Sequence, residues 1–232
     1  MPGGPQPTSR HAGQREAGCA ARGTDTVGTC SIDGPCWMTL TAAPDADART
    51  LLRRRLLAAR RDWATTPAAE TAQQALADRL QAVLAQLEPQ TLGLYWPVKG
   101  EFNPRDVALS ALSTWHCGLA LPFAQRDPVV MTYRPWTGGE PDGVDECGLP
   151  SPATTKTVEP DVVLVPCLGF TAAGFRLGYG GGYFDRYLAA HPGVTAIGLA
   201  WDEGQLADTD LMPAPHDIPL LAVLTPSGVW GG

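Results

Sequence analysis

Five glycines, Gly174, Gly178, Gly180, Gly181 and Gly182, fall within nine residues, between an apolar β-branched run and a segment able to start a helix. The run is Val162 to Val165, ended by Pro166; the segment is Tyr183-Phe184-Asp185-Arg186-Tyr187-Leu188. The order is strand, Gly-rich loop, helix. Glycine accepts positive φ and lets the backbone approach a ligand closely. Successive N–H groups can then converge on an anion, helped by the partial positive charge at the helix N-terminus. Arg176 adds a planar, permanently charged fork suited to phosphate oxygens. Asp185 lies just past the glycines, where a carboxylate could hold Mg2+ bridging those phosphates.

Two familiar phosphate motifs are absent. No Gly-Lys-Ser/Thr follows the loop, and the Gly-x-Gly-x-x-Gly spacing fails at Tyr183. A tight connection needing positive φ explains one or two glycines. Five of them, with an arginine and an aspartate alongside, point to anion binding.

At 232 residues the chain suits one α/β domain with a sizeable core. Its net charge of −7 argues against a nucleic-acid partner, because binding a phosphate backbone needs a basic face. An anionic small molecule would have to be met by local arginines. The cysteines, Cys19, Cys30, Cys36, Cys117, Cys147 and Cys167, form no C-x-x-C pair and read as free thiols of a reducing cytoplasm. No apolar run is long enough to span a bilayer.

Residues 1–37 are rich in Gly, Pro, Ser, Thr, Ala and Arg without periodicity, and are expected to be a disordered extension. Met38 is read as an alternative start, leaving 38–232 as a single domain. Asp45 or Asp47 can cap a helix running to about Trp63. Leu52, Leu56, Ala59 and Trp63 form its apolar stripe. Arg49, Arg53 and Arg60 share the flank of that stripe, whereas Arg54, Arg55 and Arg61 point elsewhere. A solvated basic face and a phosphate-binding face both suit that pattern.

A second helix is expected over 67–87, with Leu76, Leu80, Val83, Leu84 and Leu87 at core spacing. Thr91 to Val98 reads as a strand, and Asn103 with Pro104 as the start of the next helix, placing Glu101 in the turn between them. Trp96 could be core or a platform for a flat heterocycle. The segments 119–123, 129–136, 194–201 and 220–225 read as strands, and 137–160 as a loop placed to cover the site. His216-Asp217 precedes the last strand. Alternating helices and apolar strands predict an α/β fold with a mostly parallel sheet and helices on both faces.

The run Phe175-Arg176-Leu177-Gly178-Tyr179-Gly180-Gly181-Gly182-Tyr183-Phe184-Asp185-Arg186-Tyr187-Leu188 resembles the signature of the 5-formyltetrahydrofolate cyclo-ligase (methenyltetrahydrofolate synthetase) family. That family's usual form is Gly-x-Arg-Leu-Gly-x-Gly-x-Gly, two aromatics, Asp, and Leu three residues on. The resemblance implies a three-layer, Rossmann-like arrangement shared with sugar-phosphate isomerases and CoA transferases. It implies ATP-dependent closure of 5-formyltetrahydrofolate to 5,10-methenyltetrahydrofolate, a ligase reaction of cytoplasmic one-carbon metabolism.

The family opens with Lys-x-x-Leu-Arg contacting nucleotide, which Arg49-Thr50-Leu51-Leu52-Arg53 matches with Arg in place of Lys. The implied ATP site takes Arg49, Arg53 and Arg176 with Leu177, Gly178, Tyr179, Gly180, Gly181, Gly182, Tyr183 and Phe184. Arg176 and Tyr179 are its catalytic candidates, and no nucleophilic side chain is expected. Trp96, Glu101, Tyr179 and Tyr183 would position the folate, and Asp185 with Asp217 would hold Mg2+. Two departures remove a carboxylate: Ser151 stands where Glu is usual, and Thr171 where Asp is usual. They favour a rival reading, a nucleotide or folate binder without turnover. A sugar-phosphate isomerase on the related fold, needing no ATP, is a third. The expected assembly is a monomer, with a homodimer as the alternative.

Overall fold

The computed structural model describes residues 46–231. The expectations for 1–37, for Met38 and for a cap at Asp45 or Asp47 lie outside the described residues or side chains. The described residues form one compact unit.

Four helices are α1 (Ala46–Trp63), α2 (Pro67–Leu87), α3 (Arg105–Trp115) and α4 (Tyr183–Ala190). The strands are β1 (Thr91–Gly93), β2 (Gly118–Arg126), β3 (Val129–Trp136), β4 (Gly143–Val144), β5 (Pro150–Ser151), β6 (Val162–Pro166), β7 (Gly169–Thr171), β8 (Arg176–Leu177), β9 (Thr195–Leu199), β10 (Gln205–Leu206), β11 (Ala222–Leu224) and β12 (Val229–Trp230).

Seven strands make the main sheet in the order β12-β11-β9-β6-β1-β2-β3. The pairings from β11 through β9, β6 and β1 to β2 are parallel, and only the edge strands β12 and β3 run antiparallel to their neighbours. The sheet is mostly parallel, as the strand and helix alternation requires. β6 lies inside it and buries both faces, which is why Val162-Val163-Leu164-Val165 reads as an unbroken apolar run. Val162 and Leu164 join Leu76, Leu80, Leu84, Val107 and Ala111 of α2 and α3 on one face. Val163 and Val165 join Tyr187 and Leu188 of α4 on the other. Helices therefore cover both faces.

The chain lays β2 on one side of β1 and later returns to lay β6 on its other side. Beyond the carboxyl ends of β1 and β6 lies the crevice where such sheets bind ligands. A smaller sheet, β10-β7-β8, fills the connection between β6 and the Gly-rich loop. Helix α1 packs on it through Leu56 against Leu168, Leu177 and Leu206.

Several sequence expectations need correction. The strand expected over 91–98 pairs only as Thr91–Gly93; Leu94 still donates to the Ala120 carbonyl, and the chain then leaves the sheet. Helix α3 begins at Arg105, with Pro104 rather than Asn103 at the cap position. The Asn103 side chain accepts from the Arg105 N–H instead. In α1, Ala59 is exposed and Arg60 takes the inward position in the stripe. The linker before the Gly-rich loop holds the β7–β8 hairpin, and the 137–160 segment holds β4 and β5.

Candidate active site

A cavity of about 430 Å3 opens at the crevice between β1 and β6. Its lining includes every residue that the resemblance assigns to nucleotide, folate or metal: Arg49 and Arg53 from α1, Trp96 and Glu101 after β1, Arg176 and Leu177 of β8, Gly178 to Gly182, Tyr183, Phe184 and Asp185 opening α4, and Asp217. Residues more than a hundred positions apart in the chain meet there.

The Gly-rich loop runs from β8 into α4. Gly180 has φ +96° and Gly182, the N-cap of α4, has φ +64°, conformations that side-chain-bearing residues rarely adopt. Arg53 Nε donates to the Gly178 carbonyl at 2.9 Å, so α1 is tied directly to the loop. Its guanidinium passes Gly180 so closely that a Cβ there would sit 3.4 Å from Cζ. Burial, and then the charge of Arg49, lower the Arg53 pKa from its ordinary value.

Two ion pairs close the floor. Arg49 reaches Asp217 at 2.6 Å and also donates to the Met212 carbonyl. Arg176, nearly buried, holds Asp185 at 2.7 Å and donates to the Ile218 carbonyl. Asp185 also accepts from the Ile218 N–H, which brings it beside the segment carrying Asp217. For Asp217, burial pushes the pKa up, but hydrogen bonds from Arg49 and the Ala214 N–H outweigh it and hold the carboxyl below its ordinary value. His216 is largely exposed, 3.8 Å from Asp217.

Two carboxylates on one cavity wall fit a Mg2+ ion, which commonly takes one or two carboxylates and completes its shell with substrate phosphates and water. Among the described residues no cluster of three or more His, Cys, Asp or Glu side chains could hold a metal without such help.

At the other end, the Tyr179 hydroxyl donates to Glu101 Oε1 at 2.7 Å, and Glu101 Oε2 accepts from the Val98 N–H. Burial raises the Glu101 pKa, with the Val98 N–H and the Tyr179 hydroxyl drawing it partly back. Burial, and then Glu101, push the Tyr179 phenol well above its ordinary range. Lys99 lies over the Tyr179 ring at 4.8 Å. Trp96 lines the cavity and meets Trp136 edge to face, so it serves the cavity wall and the core together.

The profile of the 5-formyltetrahydrofolate cyclo-ligase family matches residues 45–226, nearly all of the described structure. The chain belongs to that family. It is 35% identical over 153 residues to the 5-formyltetrahydrofolate cyclo-ligase of Mycolicibacterium smegmatis, covering 61% of this chain and 76% of that one. It is 44% identical over 72 residues to the Escherichia coli K12 cyclo-ligase, covering 30% and 38% of the two chains. The fold matches the 5,10-methenyltetrahydrofolate synthetase of Mycoplasma pneumoniae with a TM-score of 0.62 and 24% identity, over 77% of this chain and 98% of that one. The Aquifex aeolicus synthetase matches with a TM-score of 0.63 and 23% identity, over 79% and 92%.

Within this cyclo-ligase site two contributors went unassigned in the sequence. Arg60 was grouped with Arg49 and Arg53 by its helical position but given no role; it donates to the Tyr179 hydroxyl at 3.3 Å and to the Cys167 carbonyl. Asp145 is buried and accepts from the N–H groups of Cys147 and Leu149, pinning the loop between β4 and β5 against the cavity. Its only sequence signal was an acid two residues before Cys147. Cys147 itself meets the Tyr183 hydroxyl at 3.3 Å. Ser151 and Thr171, the two departures that remove a carboxylate, are buried and absent from the cavity lining. The Ser151 hydroxyl donates to the Pro122 carbonyl, which a carboxylate could not do.

Proposed function

We propose that the chain catalyses ATP-dependent cyclisation of 5-formyltetrahydrofolate to 5,10-methenyltetrahydrofolate, with release of ADP and phosphate. The observation that carries this is the convergence of Arg49, Arg53, Arg176, the Gly-rich loop and Glu101 on one cavity of a family member. Phosphoryl transfer is catalysed mainly by positioning and by neutralising charge, and the cavity is built for both.

The formyl oxygen is a poor leaving group as it stands. Its attack on the terminal phosphorus of ATP forms a new P–O bond and breaks the bond to ADP, giving an iminophosphate. Nitrogen 10 then attacks the formyl carbon. Loss of phosphate and of the nitrogen 10 proton gives the methenyl product. The backbone N–H groups of Gly178 to Gly182 and the guanidinium forks of Arg49, Arg53 and Arg176 receive the triphosphate. Leu177, Tyr183 and Phe184 shape the ends of that cradle. Glu101 and the hydroxyl of Tyr179 orient the pterin and formyl group, while Trp96 offers a flat apolar face to the ring. Mg2+, when bound through Asp185 and Asp217, supplies positive charge that neutralises the phosphate oxygens.

The reading as a binder without turnover rested on Ser151 and Thr171, which are not among the residues that line the cavity. The assigned residues come from one chain, so a monomer suffices. Cys117, Cys147 and Cys167 are free thiols, in keeping with a reducing cytoplasm, and no described helix is long and apolar enough to cross a membrane. The same reading assigns the sheet to the three-layer arrangement of sugar-phosphate isomerases and CoA transferases, with 38–232 as one domain.

The test is purified protein with 5-formyltetrahydrofolate and Mg-ATP, followed by the absorbance of the methenyl product. Product that forms without ATP, or no product with it, refutes the assignment.

A further inference from the structure

Arg60 is the one guanidinium at the site whose place looks costly. It is 6% exposed, and among the described residues no carboxylate pairs with it directly. A buried charge without a direct counter-ion weakens a fold unless its hydrogen bonds are well met, and a solvated arginine on α1 would avoid that cost. What Arg60 touches explains its burial. One terminal nitrogen donates to the Cys167 carbonyl just past β6, and the other to the Tyr179 hydroxyl. That hydroxyl in turn donates to Glu101 at 2.7 Å.

The stem of Arg60 does a second job. A Cβ added to Gly100 would sit 3.5 Å from Arg60 Cγ and 3.2 Å from the Ala64 methyl, so the turn carrying Glu101 lies directly on this part of α1. The turn is fixed there from behind by Trp201, whose Nε1 donates to the Gly100 carbonyl, and Trp201 in turn packs on Trp63 of α1. Arg60 thus holds the Glu101 turn with its aliphatic stem and the Tyr179 hydroxyl with its charged head.

We propose that Arg60 is a positioning residue for the folate end of the site, setting Glu101 through the Tyr179 hydroxyl and through the turn packed on its stem. This rests on the cyclo-ligase reading given above. The geometry carries it because an arginine fork is needed to reach a carbonyl and a phenol together. By donating to the phenol oxygen, Arg60 steadies the ring and hydroxyl of Tyr179 in the position from which the hydroxyl donates to Glu101. Without Arg60 the phenol oxygen loses a donor and the Glu101 turn loses the stem it packs on, so the buried carboxylate and its Tyr179 partner are held less firmly.

The experiment measures steady-state KM for each substrate, kcat, and calorimetric binding of 5-formyltetrahydrofolate without nucleotide. The proteins are the wild type, Arg60→Lys, Tyr179→Phe and the double variant, each checked by thermal unfolding. Lysine keeps the charge but loses the fork; phenylalanine keeps the Tyr179 backbone N–H and loses only the hydroxyl. The expected result is a rise of about tenfold in the folate KM and Kd for either single variant, with the ATP KM within about twofold. The double variant should be no worse than the worse single one, because both changes break one chain of contacts.

Folded single variants with an unchanged folate KM overturn the proposal. So does an equal rise in both KM values, which marks a merely structural role, and so do single effects that multiply in the double variant. Should Arg60→Lys fail to fold, Tyr179→Phe decides: unchanged folate affinity in that variant sinks the idea. A wild type that makes no methenyl product with Mg-ATP defeats the cyclo-ligase reading itself, and the role of Arg60 falls with it.

Discussion

Arg49 and Asp217, 168 residues apart in the chain, are joined by a 2.6 Å ion pair on the wall of the cavity. The pair Arg176–Asp185, at 2.7 Å, repeats the arrangement nearby. In both, a guanidinium assigned to phosphate is held by a carboxylate assigned to metal. On the proposed assignment, nucleotide and metal would each meet groups that are paired with one another.

This pairing predicts that metal and nucleotide bind together. A phosphate that takes over Arg49 and Arg176 releases Asp217 and Asp185 for the cation. Mn2+ used as a paramagnetic stand-in should bind weakly to the protein alone, and ATP should tighten it at least about tenfold, with reciprocal tightening of ATP by Mn2+. Electron paramagnetic resonance titration of free Mn2+ gives the number. Equal Mn2+ affinity with and without ATP would contradict the arrangement.

Asp185→Asn keeps an oxygen for Arg176 and for the Ile218 N–H but removes the charge. It should lower kcat by about a hundredfold or more. Because Arg176 is nearly buried, the unfolding temperature should also fall, by about a few degrees. Stopped-flow absorbance and calorimetry measure the two effects. Near-normal turnover with Mg2+ rules out a metal role for Asp185.

Gly180→Ala separates backbone from side chain. At φ +96° an alanine costs about 1–2 kcal/mol, and relaxing that strain turns the neighbouring N–H groups away from the cradle. The ATP KM should rise several-fold while the folate KM holds. Gly178→Ala is the stability control, since a methyl there meets nothing within 4 Å and the unfolding temperature should not move. A Gly180→Ala enzyme with wild-type ATP KM would show that the loop's geometry is not what binds nucleotide.

Glu101 gives the site a pH dependence. Burial raises its pKa above the usual value of about 4.3, so its neutral form appears at higher pH than for an exposed glutamate. On the proposed assignment the ionised carboxylate accepts hydrogen bonds from the pterin, so the folate KM should climb as pH falls from about 7 toward 5. Glu101→Gln should have a higher KM at pH 7 and lose that slope. A wild-type KM that stays flat across this range argues against the assigned role.

Much of this was legible in the chain because the signals were local. The five glycines with Arg176 and Asp185 are contiguous and marked the loop, and the apolar β6 run marked a strand buried on both faces. The α1 wheel placed Arg49, Arg53 and Arg60 on one flank, and all three reach the Gly-rich loop or Asp217. Other features depend on contacts that no local pattern carries. Arg60 could be placed only on the flank it shares with Arg49 and Arg53, because its partners, the Cys167 carbonyl and the Tyr179 hydroxyl, lie more than a hundred residues away. β1 looked longer because Leu94 and Tyr95 are apolar and buried, yet they pack in the core without strand pairing. The β7–β8 hairpin is only a few residues long, too short for its alternation to show.

The most direct test is a crystal structure with Mg2+ and a non-hydrolysable ATP analogue. The account predicts the triphosphate on the N–H groups of Gly178 to Gly182, with Arg49, Arg53 and Arg176 on its oxygens and the metal between Asp185 and Asp217. A triphosphate docked elsewhere on the protein, or one that leaves Arg49–Asp217 and Arg176–Asp185 intact, contradicts it.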